Sequence, residues 1–186
     1  MRGGRRGAAA LAAIAFAGAG IAAVAPEWKK GAALRRLREG EALVLAASRQ
    51  NDAVARAAIL RDAEEVLEEA AAELPHDPRP PYLLGSASRL RGDAAGALER
   101  YRRSLAIEER PETDLNLSRA HMAAGHPRAA EKDAVRAVWL APNLLPELPE
   151  EARIPVRNRI WQLTSDLKRG KGYPPPLSKE PKTALR

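Results

Sequence analysis

The apolar positions of this chain fall into one long uncharged run and then into short amphipathic segments cut apart by glycine and proline. Residues 8 to 25 hold no charged side chain. Beyond them, "AVARAAILRDAEEVLEEAAAEL" continues to Leu74 without a breaker and predicts one long helix, with Asp52 of "QND" as its N-cap. The apolar positions Val54, Ala58, Leu60, Val66 and Leu67 form an imperfect stripe along it. "PHDPRPP" at 75 to 81 ends that helix, because proline has no amide hydrogen to give. Near the C-terminus, Val156, Ile160, Leu163 and Leu167 stand at i, i+4, i+7 and i+11, and Gly170 follows as a C-cap. That pattern predicts a closing helix, with Trp161 beside the stripe and expected to pack in the core or at its edge.

Between the long helix and the closing one the pattern repeats. Gly92 and Gly125 lie 33 residues apart, and so do Ala97 and Ala130, Ser104 and Ala137, Leu105 and Val138, and Ile107 and Leu140. In each copy a helix ends in glycine ("RLRGD", "MAAGH"), a second helix follows, and the unit closes near a proline. Two helices of about a dozen residues with their turns use roughly 34 positions, and small residues at the crossings let the axes come close. The spacing therefore specifies packing.

The repeat resembles the tetratricopeptide repeat. The first copy offers Leu84, Gly85, Gly92, Ala97, Tyr101 and Ser104; the second offers Leu117, Ser118, Gly125, Ala130, Ala134, Ala137 and Pro142. Pro81 stands where an aromatic is usual, and Pro111, expected to close the first copy, comes late. Ala63, Ala70 and Pro75 fit the second half of an earlier, degenerate copy in which Ala58 replaces the turn glycine. The resemblance implies an all-α fold: a short solenoid of helical hairpins, with an N-terminal hydrophobic helix and a C-terminal capping helix. Its segments would be a signal or anchor at 1–26, N-terminal helices at 27–74, two repeats at 75–144, the cap at 145–170 and a basic, proline-rich, disordered tail at 171–186. One hairpin alone cannot bury its apolar stripe, so the flanking helices are needed to cover the array.

The same resemblance implies a function. In this family the first helix of each pair lines a concave groove, which would turn Arg79, Tyr82, Ser86 and Arg89 of one copy, with Asn116 and Arg119 of the next, toward a ligand. Three arginines and an asparagine suit an extended or acidic peptide. The expected role is a non-catalytic interaction module that docks protein or peptide partners. For each of these residues an ordinary solvated helix face is the alternative.

Composition narrows the field further. Aromatic residues make up only 4% and alanine is the commonest residue, which favours close helix packing over a β-sandwich. The absence of cysteine removes disulfides, thiolate zinc sites and cysteine nucleophiles together. The net charge of +7 is unevenly spread: residues 1 to 26 carry three arginines and no acid, residues 27 to 152 carry 19 basic and 22 acidic residues, and residues 153 to 186 carry nine basic and two acidic. Because the body is slightly acidic, a folded nucleic-acid binder is not expected. The alternative function is a binder of anionic surfaces, lipid headgroups or nucleic acid, through the basic ends.

As a helix, residues 8 to 25 would span about 27 Å, close to a hydrocarbon thickness of roughly 30 Å. They read as an uncleaved anchor, because Pro26 after Ala23-Val24-Ala25 resembles a blocked cleavage site; Ala17-Gly18-Ala19 leaves cleavage and secretion open. With alanine- and arginine-rich usage, the expected place is a bacterial membrane with the soluble part extracytoplasmic. Glu64, Glu65, Glu68 and Glu69 read as a solvated face. His76, His121 and His126 lack metal-ligand spacing and read as turn or surface residues. No phosphate-cradling glycine loop or nucleophile elbow is present, so no catalytic residue, metal or cofactor is expected.

Overall fold

The computed structural model describes residues 30–171 together with Pro174 and Pro175. The anchor expected at 1–26 and all of the tail beyond Pro175 lie outside these residues. Helices alone make up the regular structure of the described residues: α1 at 30–49, α2 at Ala53–Glu73, α3 at Arg79–Arg91, α4 at Ala94–Ile107, α5 at Pro111–Ala123, α6 at Pro127–Leu140, a 3₁₀ turn at Pro142–Glu147 and α7 at Glu150–Lys168. None of them is long and apolar enough to cross a membrane.

Local chemistry sets the boundaries. The Asp52 carboxylate accepts from the Ala55 amide at 2.8 Å and starts α2. Pro80 and Pro81 sit in the first turn of α3, where amide hydrogens have no helical partner anyway, so "PHDPRPP" stops one helix and starts the next. Gly92 takes φ 84°, a left-handed conformation that closes α3 with the Asp93 amide on the Ser88 carbonyl at 2.9 Å. Asp93 then caps α4 through the Gly96 amide. Gly125, at φ 76°, does the same between α5 and α6. Pro111 does not close a repeat: α4 has already ended at Ile107, and Pro111 is the first residue of α5.

The core is a line of three apolar clusters. Leu37 and Val44 of α1 meet Leu60 and Leu67 of α2 and Leu84 of α3 in the first. Leu98 and Tyr101 of α4 meet Leu117 and Ala120 of α5 in the second. Leu115, Val135, Val138, Leu148 and Val156 make the third, against which Ile160 and Leu163 of α7 also pack. From α2 onward each helix packs on the next in the chain.

Small residues set the crossings. A Cβ on Gly85 would lie 2.7 Å from Cδ1 of Tyr101, so α3 and α4 are as close as a ring against bare backbone allows. Gly40 of α1 faces Leu67 of α2 in the same way, and the Ser118 hydroxyl of α5 donates to the Ala130 carbonyl of α6 at 2.7 Å. The first hairpin is thus complete, but its turn is at 50–52 rather than at Ala58. Its second helix runs 21 residues against 14 in α4, and the added turns carry the glycine-free turn Gln50-Asn51-Asp52 out of the regular period. Val54, 81% exposed, and Ala58 belong to that overhang, and the buried stripe is Leu60, Ala63, Leu67 and Ala70.

Two side-chain expectations are corrected. The α2 glutamates are not simply solvated: Glu69 pairs with Arg36 of α1 at 2.7 Å, while Glu64 takes Arg91 of α3 and Arg100 of α4. Trp161 is 72% exposed. At 100° per residue it points away from the Val156, Ile160 and Leu163 stripe that fastens α7. The C-cap expected at Gly170 is present, with φ 68° and the Lys171 amide on the Asp166 carbonyl.

The Gly85 crossing yields a quantitative expectation. Gly85→Ala should lower unfolding free energy in denaturant titration by about 1–3 kcal/mol, because the fully buried Tyr101 ring has nowhere to swing.

Candidate functional site

A connected set of polar groups joins α3, α4, α5 and the 3₁₀ turn. Tyr101 of α4 rises past Gly85, and its phenol exchanges a hydrogen bond with the Ser86 hydroxyl at 3.1 Å. The Ser86 hydroxyl also lies 3.2 Å from the Tyr82 carbonyl one turn back. The two tyrosine rings tilt against each other at 5.9 Å between centroids. From α5, Asn116 donates its Nδ2 to the Tyr82 phenol at 2.9 Å and accepts from Arg119 at 3.0 Å. Arg119 then donates to the Glu147 carbonyl at 2.9 Å and pairs with the Glu147 carboxylate at 3.5 Å.

Burial raises the pKa of both phenols, Tyr82 and Tyr101, so each stays neutral and keeps its proton for hydrogen bonding. Arg89 opposes that shift from the same region, its charge bearing on both rings. Its Nε is buried without a hydrogen-bond partner.

The six residues singled out in the sequence therefore separate. Tyr82, Ser86, Asn116 and Arg119 are brought together by direct bonds, and Arg89 joins them electrostatically. Ser86 and Asn116 are buried and spend their polar atoms on neighbours, so they frame the face. Tyr82, Arg89 and Arg119 keep partial exposure. Arg79 is elsewhere. Its guanidinium folds onto Asp77 at the start of α3, where it also depresses the Asp77 pKa, and it lines a separate depression with Pro75, His76 and Arg110.

Beside Arg119 lies an apolar cavity of about 340 Å³ between α5, α6 and the start of α7. Met122, Ala130, Ala134, Pro155 and Val156 line it. Ala134 is 33 residues after Tyr101, so the α5–α6 hairpin carries a methyl group where the α3–α4 hairpin carries a ring.

The sequence reading missed a second polar cluster, buried between α5 and α6. His121 is not a turn or surface residue: it is 7% exposed, with Nε2 3.6 Å from Oδ2 of Asp133. Burial, together with Arg102 and His126, lowers its pKa and favours the neutral ring. Asp114, two helical turns earlier on α5, is 1% exposed, and its pKa is raised to about 7 by burial first and then by Glu109 and Asp133. Arg136 offsets part of that shift; it also bonds Glu109 and donates to the carbonyl of Pro175, which is buried against the body. The tail expected to be free thus begins in contact with α6. The available signal was the spacing of Asp114 and His121, seven apart on one helix face.

Among the described residues no group of histidine and carboxylate side chains could hold a metal ion. What the tyrosine and arginine face offers is neutral phenols and guanidinium groups at fixed separation. Phenol and guanidinium groups of this kind are hydrogen-bond donors suited to polar or anionic acceptors.

Asp114 makes stability depend on pH. Its folded pKa lies above the unfolded value of 3.8, so the native state holds the proton more tightly. The contribution is whole below about pH 4 and is lost as pH rises toward 7. Asp114→Asn, which mimics the neutral acid, should therefore compare better with the parent at pH 8 than at pH 5. A difference on the order of 1–3 kcal/mol is expected in denaturation curves at the two pH values.

No protein-family model matches the chain, and comparison with curated proteins and with solved structures gives no match either.

Proposed function

We propose that this chain is a non-catalytic protein-interaction module of tetratricopeptide type, whose hairpins stack as a short solenoid and hold an extended, acidic peptide along α3 and α5. The observation that carries this reading is the bonded path from Tyr82 through Asn116 to Arg119, which fixes the two first helices of successive hairpins to each other. A face of phenol and guanidinium donors of that kind suits a peptide that brings exposed backbone carbonyls and carboxylates able to compete with Glu147 for Arg119. Arg89 and Arg119 supply the charge, and Tyr82 the neutral donor. Ser86 and Asn116 hold the frame, while Arg79 contributes only at its edge. The cavity beside Arg119 could take one apolar side chain of the same peptide. Residues 8 to 25 would hold the module at a bacterial membrane, or carry it across if they are cleaved.

An array of immobilised acidic peptides tests the reading. Arg89→Glu with Arg119→Glu should weaken retention at least tenfold while the circular dichroism stays helical, and removing residues 171–186 should leave retention unchanged. Retention by the double variant would refute the assignment.

A further inference from the structure

The last helix presents an unpartnered face with a composition of its own. Val156, Ile160 and Leu163 fasten α7 to α6 and the 3₁₀ turn. On the far side, at 100° per residue, Ile154, Arg157, Trp161 and Lys168 fall within one narrow sector, with the exposed Glu150 of the first turn at its N-terminal end. Ile154 is 59% exposed and Trp161 72%. Both arginine and lysine of this sector are exposed. Asp166 lies off the face and is held by Arg169 at 2.9 Å.

Charge decides what kind of surface this face fits. Residues 153 to 186 carry nine basic and two acidic side chains, whereas residues 27 to 152 carry more acids than bases. The face itself carries two cations, Arg157 and Lys168, against the single carboxylate of Glu150, so a second copy brought face to face would meet net like charge. An acidic peptide would be served by the cations alone and gives no reason to display an indole and a sec-butyl group on an exposed helix face. Trp161 and Ile154 are seven residues apart, about 10 Å along the axis, with cations between and beyond them. A tryptophan whose ring is amphipathic, an aliphatic neighbour and long basic side chains that reach outward from their own stems are the pattern of a helix lying in a headgroup layer.

We propose that the outer face of α7, formed by Ile154, Arg157, Trp161 and Lys168, docks on the surface of an anionic lipid bilayer. It is a contact separate from the peptide face on α3 and α5 and from any anchoring by residues 8 to 25.

The chain has no cysteine, so Asn158→Cys places a single label beside Trp161 on the full-length protein. An environment-sensitive fluorophore there reports on the face itself, whatever the N-terminal segment does. With vesicles of phosphatidylcholine containing one-third phosphatidylglycerol the emission should shift to the blue. Vesicles of phosphatidylcholine alone should give little shift, and salt at about 0.5 M should suppress the anionic response several-fold. Trp161→Ser, and separately Arg157→Glu with Lys168→Glu, should each abolish most of the shift with helicity unchanged. Arg89→Glu with Arg119→Glu should leave it intact, which separates this contact from the peptide face. The proposal is overturned by no shift on anionic vesicles, by an equal shift on neutral ones, or by a shift that survives charge reversal. A shift of the same size with soluble polyglutamate and no lipid would also overturn it and make the partner an acidic protein.

Discussion

The close approach of α3 and α4 at Gly85 governs most of what is particular to this protein. A glycine there admits the Tyr101 ring fully into the interior, and the ring in turn carries its hydroxyl to Ser86 and tilts against the ring of Tyr82. Tyr82 is then positioned for Asn116, and Asn116 for Arg119. A packing constraint between two helices thereby becomes the geometry of a polar face spanning two hairpins. The polar groups do not hold that face up by themselves. Neutral hydrogen bonds are each worth only about 1 kcal/mol net, so the apolar burial of the ring is the larger anchor.

The fold distributes its stability along a line. Three apolar clusters follow one another; the Arg36–Glu69 pair ties α1 to α2 within the first hairpin, and Glu64 links that hairpin to Arg91 of α3 and Arg100 of α4. The more open Arg36–Glu69 pair contributes little, about 0–1 kcal/mol, whereas the Glu64–Arg100 pair is largely covered. Between α5 and α6 the protein does something costlier, burying Asp114, His121 and Asp133 together. Neutral forms of the first two reduce the cost, and Arg136 supplies the compensating charge from α6.

Much of this was legible in the sequence, and what was not has identifiable causes. All-α class, the Asp52 cap, the left-handed glycines at 92 and 125 and the closing stripe of α7 follow from local rules, because a cap or a left-handed turn is decided within a few residues. The first hairpin was obscured, since a period of about 34 cannot register helices lengthened by whole turns. Pro111 was misplaced because a proline marks a boundary without saying which side of it the helix lies. His121 and the α2 glutamates depend on which neighbouring helix faces them, and that is a property of packing rather than of spacing. Of the six residues chosen for the binding face, five share one locality; Arg79 leaves it for Asp77, a partner only two residues away.

The linear core has a kinetic meaning. From α2 to α7 the helices touch mainly their neighbours in the chain, with smaller further contacts between α3 and α5 and, through the ion pairs of Arg100 with Glu64 and Glu68, between α4 and α2. Topologies of this kind close only short loops on the way to the native state, and loop closure is what makes folding slow. Adjacent helices can therefore pair through contacts that are near in sequence. The ring-on-glycine crossing of α3 and α4 is one such pair, formed across a turn of only two residues, Gly92 and Asp93.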